Sequence, residues 1–121
     1  MNNVQKGHHY EQVAADYLTG LGYRILERNY RCRQAELDIV AMDGSCLVFI
    51  EVKYRKAGGP QHPLEAVDVR KQQHICRAAL QYLYSHGYGQ EQMCRFDVVA
   101  VLDAGPVLYK NAFTYQGTKG W

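Results

Sequence analysis

The sequence lacks the features that mark secreted, membrane-bound and disulfide-rich proteins. Its four cysteines are widely spread, and no two of them form a C-x-x-C pair. No stretch approaches the roughly 20 apolar residues that a membrane span requires, and residues 1–20 contain no apolar run of the signal-peptide type. We therefore expect reduced, mostly buried cysteines in a cytoplasmic protein that has no membrane partner.

The net charge is also small. A formal charge of +2 does not indicate nucleic-acid binding unless the basic residues cluster. Hydrophobic residues make up 47% and charged residues 21% of the chain, proportions that argue against bulk disorder. Since no repeat or linker interrupts the sequence, its length predicts one domain over residues 1–121, with an ordered core at about 8–113. The glycine-rich, polar residues 116–121 are predicted to form a flexible tail.

Apolar periodicity predicts two helices and five strands. One helix is predicted over 8–21, where Gly20 and Gly22 end it, and another over 64–85 after a loop. The order α-β-β-β-α-β-β predicts an α/β fold, with a mixed central sheet that is flanked by helices. The apolar third strand is expected to lie at the centre of this sheet. The strands are predicted over 23–30, 35–42, 46–54, 95–102 and 106–113.

Charged residues occupy two of these strands, where acidic side chains are normally rare. Glu36 and Asp38 lie in the second strand, and Glu51 and Lys53 lie in the third. Residues two apart share a face of a strand, and the hairpin turn Asp43-Gly44 brings the two pairs close together. Clustered carboxylates repel each other unless a cation such as Mg²⁺ or Mn²⁺ neutralises them. On chemistry alone, a metal site and an ordinary solvated acid–base face remain equally open.

The order Asp38, then Glu51-Val52-Lys53 in the next strand, resembles the motif of the PD-(D/E)XK nuclease superfamily. From Gly7 to about Val101 the chain also resembles the YraN-like family, small bacterial proteins related to archaeal Holliday-junction resolvases. This coverage of about four-fifths of the chain is far more specific than the short motif. The matching stretches are Glu11, Ala14, Tyr17-Leu18, Gly22-Tyr23, Arg28-Asn29, Glu36-Leu37-Asp38-Ile39-Val40, Phe49-Ile50-Glu51-Val52-Lys53-Tyr54-Arg55, Glu65-Ala66-Val67, Lys71 and Arg95-Phe96-Asp97-Val98-Val99.

The resemblance implies a restriction-endonuclease-like fold with the core order α-β-β-β-α-β. It implies that Asp38 and Glu51 bind Mg²⁺ or Mn²⁺, with the Val52 carbonyl as a third ligand. Lys53 would be the catalytic lysine, which orients water or stabilises developing phosphoryl charge. Glu11 matches an acidic position that faces the metal site in resolvase-like relatives, and a solvated helix residue is the equal alternative.

Basic residues cluster in sequence around the predicted site. In a nuclease they would neutralise phosphates without reading the base sequence, and ordinary surface charge is the equal alternative. Lys71, on the helix after the site, is the strongest of these candidates, and Gln72 is a weaker one. The candidates for nucleic-acid binding are Arg31, Arg33, Arg55, Lys56, Lys71 and Gln72.

Other conspicuous residues favour structural roles. Most tyrosines, such as Tyr17 and Tyr82, fall on apolar stripes, which favours core packing over base stacking. His8-His9 lacks the spacing of a structural zinc site. Asp97 is expected to bond to backbone or basic groups. Tyr10 replaces a glycine that is usual in the YraN-like family, at the point where the first helix approaches the sheet.

The sequence thus predicts a Mg²⁺- or Mn²⁺-dependent phosphodiesterase that acts on DNA, with branched or single-stranded structures as expected substrates. A homodimer is expected by analogy with resolvases, which work on two-fold junctions in pairs. The alternative is a non-catalytic nucleic-acid-binding or interaction module that retains the fold, because one fold hosts many functions. Stabilisation by Mn²⁺ that depends on Asp38 discriminates between the two.

Overall fold

The computed structural model describes residues 2–33, 35–56 and 62–115. Within these ranges the elements follow the predicted order. The helices are α1 (Asn3–Gly20) and α2 (Val69–Ser85), with a 3₁₀ turn at Pro63–Ala66. The predicted tail at 116–121 lies outside the described residues. The strands are β1 (Arg24–Cys32), β2 (Ala35–Asp43), β3 (Cys46–Arg55), β4 (Cys94–Leu102) and β5 (Gly105–Phe113).

The strands form one mixed sheet in the order β1-β2-β3-β4-β5. Neighbouring strands are antiparallel except β3 and β4, which are parallel because the chain returns through α2 between them. β3 is the central strand and is buried on both faces: Phe49 packs in the core under α2, and Val48 and Ile50 pack in the core under α1. The predicted mixed sheet flanked by helices, with its α-β-β-β-α-β core, is confirmed.

α1 begins at Asn3 rather than at residue 8, because its polar first turn is capped. The Gln5 N–H donates to Asn2 Oδ1 at 2.8 Å, and the Asn2 N–H donates to Gln5 Oε1 at 2.9 Å. The helix ends as predicted, since Gly22 adopts a φ of 95°, which glycine tolerates without strain. No helix in the described ranges has the length and apolarity needed to cross a membrane.

The prediction of one helix over 64–85 is wrong at its start. Apolar residues continue through this region, but Pro63–Ala66 forms a 3₁₀ turn, and Val67 (φ −103°, ψ 70°) interrupts the helical backbone. Asp68 then caps α2, because its Oδ1 accepts from the Lys71 N–H at 2.9 Å. This cap fixes the backbone of Lys71, whose side chain reaches the predicted site.

Candidate metal and nucleic-acid site

The predicted site lies where β2 and β3 separate. Their ladder starts at the connecting turn and ends at the pair Ile39–Ile50. Asp38 and Glu51 are the next residues on each strand, beyond the last pair. The Val52 N–H donates to Asp38 Oδ2 at 2.8 Å, so a side chain replaces the backbone ladder at this point. The divergence opens a gap between the strands that acidic side chains occupy.

A pocket of about 260 Å³ occupies this gap and is bounded by both helices and by both strands. It brings together all of the residues predicted to be catalytic or metal-binding, and it also includes one predicted nucleic-acid ligand, Lys71. The lining residues are Gly7, Tyr10, Glu11, Glu36, Asp38, Glu51, Val52, Lys53, Tyr54 and Lys71.

Two buried carboxylate oxygens at the site have no hydrogen-bond partner. Glu51 is only 7% exposed, and its Oε2 lies 3.3 Å from Lys71 Nζ without forming a hydrogen bond of good geometry. Glu11 Oε1 is also buried without a hydrogen bond, 4.0 Å from Nη2 of Arg28. Leaving buried polar groups unsatisfied is costly and uncommon. These oxygens therefore retain lone pairs for a ligand.

The electrostatics of the site favour a bound cation. Burial, together with a hydrogen bond and charge repulsion from Glu51, raises the pKa of Asp38 to about 8, against the lowering effect of the Val52 N–H. Burial and the nearby Asp38 also raise the pKa of Glu11. Burial is the largest single influence and lowers the pKa of Lys71, but the nearby carboxylates of Glu51, Asp38 and Glu36 together outweigh it, so the Lys71 pKa lies above its ordinary value. The positive charge near these carboxylates is thus too small to balance their negative charge, and a bound cation would reduce the repulsion between them.

The donor atoms fit a hard divalent cation with few protein ligands. Asp38, Glu51 and the Val52 carbonyl supply oxygen only, the ligand type that Mg²⁺ and Mn²⁺ prefer. Among the described residues, no group of three or more His, Cys, Asp or Glu side chains is arranged to hold a metal ion. The site therefore offers two carboxylates at most. Mg²⁺ typically binds through one or two carboxylates and completes its shell with water and phosphate oxygens.

Lys53 enters the same pocket from β3. It lies two residues after Glu51, on the same face of the strand, and is partly buried. Lys71 pairs with Glu51, whereas the described residues provide no carboxylate within ion-pair distance of Lys53. The Lys53 ammonium is therefore available to an anionic ligand in the pocket.

The basic candidates divide into two sets. Glu36 and Lys71 line both the first pocket and a second one of about 430 Å³, which Arg31 and His74 also line. Arg31 is 79% exposed, and its Nε pairs with Glu36 Oε2 at 3.2 Å. Arg31 and Lys71 are thus brought together beside the carboxylates.

The remaining candidates for nucleic-acid binding lie outside both pockets. Arg33 and Lys56 are exposed at the ends of β1 and β3. Arg55 Nη1 donates to the carbonyl of the preceding residue at 2.7 Å. Gln72 Nε2 donates to the carbonyl of Val67 at 2.9 Å, which stabilises the junction between the 3₁₀ turn and α2.

Sequence reasoning missed three residues at the site. The rings of Tyr10 and Tyr54 stack against each other and line the pocket. Asn29, with a φ of 54°, lowers the pKa of Glu11 through a side-chain hydrogen bond, though burial still dominates. Both tyrosines adjoin a predicted site residue in the chain, and asparagine is uncommon in strands but tolerates positive φ. These sequence features could have pointed to the three residues, but each is too common to indicate a functional site.

Comparison with known proteins identifies the family. The model of the uncharacterised protein family UPF0102 matches residues 10–101. A UPF0102 protein of Lachnoclostridium phytofermentans is 45% identical over 118 residues, 98% of this chain and 100% of that protein. A UPF0102 protein of Chlorobaculum parvum is 53% identical over 107 residues, 88% of this chain and 81% of that protein. The match spans every predicted catalytic residue, and the chain therefore belongs to the uncharacterised protein family UPF0102.

Proposed function

We propose that this protein is a Mg²⁺- or Mn²⁺-dependent nuclease that hydrolyses phosphodiester bonds in DNA. The observation that carries the proposal is the pair formed by the partly buried Asp38 and the buried Glu51 at the separation of β2 and β3, where Glu51 Oε2 has no hydrogen bond and both residues line a pocket that also contains Lys53. The resemblance to the PD-(D/E)XK superfamily rests on the same three residues.

The chain supplies binding, positioning and charge. Asp38, Glu51 and the Val52 carbonyl would hold the cation. When bound, Mg²⁺ or Mn²⁺ supplies Lewis-acid polarisation of the phosphodiester and makes water a better nucleophile. Lys53 donates hydrogen bonds to a phosphate oxygen, where negative charge grows as the phosphodiester is attacked. Glu11, across the pocket on α1, offers a carboxylate oxygen that accepts a proton or hydrogen bond from the attacking water.

Arg31 and Lys71 would hold phosphates that flank the cleaved bond, which gives binding that is salt-dependent and independent of base sequence. The same proposal has three further parts: the substrate is branched or single-stranded DNA, the active form is a homodimer, and the protein is cytoplasmic.

The test is cleavage of labelled single-stranded, duplex and four-way-junction DNA in Mn²⁺ or in EDTA. Wild type is compared with Lys53→Ala, and Lys110→Ala serves as a matched control because Lys110 pairs with Asp43 away from the pocket. We expect metal-dependent cutting that falls by about 10²–10³-fold in Lys53→Ala, the loss typical for one charge-stabilising group. Lys110→Ala should cut like wild type.

A non-catalytic nucleic-acid-binding module is the second candidate. It is favoured by the ion pair between Lys71 Nζ and Glu51 Oε2 at 3.3 Å, which brings positive charge to the carboxylates without a metal. Binding of the same DNA substrates without cutting, in any metal, would support this candidate and overturn the nuclease proposal.

A further inference from the structure

The pocket at the carboxylates has two chemically different walls. The α2 side is basic, since Lys71 lies there and Arg31 and His74 continue it into the second pocket. The α1 side is aromatic: the rings of Tyr10 and Tyr54 stack with centroids 4.3 Å apart and planes 4° apart. A single strand of nucleic acid presents the same division, with charged phosphates on one side and flat bases on the other.

The aromatic wall is held in place on several sides. Tyr10 packs against the core under α1, and the ring of His9 meets the Tyr10 ring edge-on at 5.5 Å. The Tyr54 hydroxyl donates to Asp103 Oδ1 at 3.1 Å, in the turn between β4 and β5. Tyrosine has only two side-chain torsions, so a ring fixed in this way binds a flat partner with little further loss of entropy.

We infer that the Tyr10–Tyr54 stack binds an unpaired nucleobase next to the phosphodiester held at the carboxylates, an inference that rests on the proposed nuclease function. Both rings are partly buried and line the pocket itself rather than a distant surface. Tyr10 directly precedes Glu11, and Tyr54 directly follows Lys53. Since Lys53 and both rings line the same pocket, a strand whose phosphate contacts Lys53 brings its adjoining base within reach of the aromatic wall.

This contact selects a class of substrate. Inside a duplex, neighbouring base pairs cover both faces of each base, so a base stacks on protein only when it is single-stranded, terminal or flipped out. The stack therefore favours DNA with an unpaired nucleotide at the cleaved position, such as a single strand, a gap or a branch point. A continuous duplex would gain only the phosphate contacts of the basic wall.

Binding in EDTA tests the inference without any cleavage. The probe is a short oligonucleotide with 2-aminopurine, whose fluorescence falls when the base stacks, used as a single strand and as a duplex. The variant Tyr10→Leu keeps apolar packing between α1 and the core but removes one ring, and Tyr10→Phe keeps the ring. The control is Tyr84→Ala, because Tyr84 is 85% exposed on α2 and lies outside the pocket.

We expect wild type, Tyr10→Phe and Tyr84→Ala to quench the single-stranded probe and to bind it more tightly than the duplex. Tyr10→Leu should bind the single strand roughly 5- to 150-fold more weakly, the range that base–aromatic stacking supplies, with unchanged duplex affinity. If Tyr10→Leu fails to fold, Tyr54→Leu removes the other ring and should give the same selective loss.

Two outcomes overturn the inference and separate it from the nuclease proposal. If the folded Tyr10→Leu and Tyr54→Leu variants bind and quench the single strand as wild type does, the aromatic wall has only a packing role, and the proposed nuclease function is unaffected. If wild type binds none of the probes, both the inference and the proposed function fail.

Discussion

Two sets of buried carboxylates in this protein are treated in opposite ways. Asp97 is completely buried, and it accepts four hydrogen bonds of 2.8–2.9 Å from the Tyr23 hydroxyl, Arg95 Nε, Arg95 Nη2 and the Asn111 N–H. Asp43 pairs with Arg95 at its edge. In this Asp97 network (Tyr23, Asp43, Arg95, Asp97, Asn111) the protein itself supplies the donors, so the predicted structural role of Asp97 is confirmed.

At the pocket lined by Asp38 and Glu51, by contrast, the protein leaves carboxylate oxygens without hydrogen-bond donors. Glu51 Oε2 and Glu11 Oε1 are buried without hydrogen bonds, and burial with Glu51 nearby raises the pKa of Asp38 to about 8. Each set contains one buried carboxylate, Asp97 or Glu51, but the two sets differ in how far their charge is compensated. A buried acid that serves the fold carries its own partners, whereas an uncompensated one indicates a site for a ligand from outside.

The largest expected effect follows from removing the acid of the compensated set. Asp97→Ala deletes four acceptor contacts and leaves Arg95 without its main partner, so we expect a loss of about 3–5 kcal/mol in the free energy of unfolding. Urea unfolding in EDTA measures it. Glu51→Gln, the matched change at the pocket, should cost little or should stabilise the protein, because it removes the repulsion between Glu51 and Asp38 and loses only one partly exposed ion pair, with Lys71. Equal losses in the two variants would contradict the comparison.

The two sets should also respond to pH with opposite signs. The unfolded chain releases the Asp38 proton near its ordinary pKa of 3.8, whereas the folded protein holds it up to about 8. Between these values the unfolded state binds fewer protons, so this group lowers stability as pH rises, by at most about 1.4 kcal/mol per pH unit. Unfolding of metal-free wild type and Asp38→Asn across this range measures it, and Asp38→Asn should flatten the slope.

Asp43 provides the opposite case. The hydrogen bond from Arg95 holds the pKa of Asp43 below its ordinary value of 3.8. Its contribution to the stability of the folded protein is therefore fully present above pH 3.8 and is lost as the pH falls through the lowered pKa. Asp43→Asn should leave the slope between pH 4 and 8 as in wild type. If the pH dependence of stability disappeared in Asp43→Asn but persisted in Asp38→Asn, it would be caused by Asp43 and not by Asp38.

The sequence specified the fold and the core of the site because both depend on local patterns. Alternation, the Asp43-Gly44 turn and charges in an apolar strand predicted β2, β3 and the closeness of Asp38, Glu51 and Lys53, whereas the roles expected of these residues came from the family resemblance. The start of α2 was missed, because apolar spacing persists through residues whose backbone is not α-helical. The approach of Lys71 to Glu51 and the Tyr10–Tyr54 stack depend on how helices dock on the sheet, which local spacing does not encode.

The smallest expected effect comes from comparing Lys71, which pairs with Glu51 at the pocket, with Lys110, which pairs with Asp43 of the Asp97 network. Lys71 Nζ lies 3.3 Å from Glu51 Oε2, and the Lys71 side chain is 35% exposed. An ion pair this open contributes at most about 1 kcal/mol, so Lys71→Ala should lower stability in EDTA by no more than that. Mn²⁺ at the carboxylates would replace the lost positive charge. We therefore expect thermal unfolding to show a larger stabilisation by Mn²⁺ in Lys71→Ala than in wild type.

Lys110→Ala is the control for this comparison, because Lys110 Nζ lies 3.5 Å from Asp43 Oδ2 in the compensated set. Asp43 keeps Arg95 at 2.9 Å after this change, so its charge remains balanced, and Mn²⁺ should stabilise Lys110→Ala only as much as wild type. If Mn²⁺ stabilises both lysine variants equally, the carboxylates at the pocket attract a cation no more than other surface acids do. The contrast between the two sets would then reflect packing alone, and the proposed metal site would lose its physical basis.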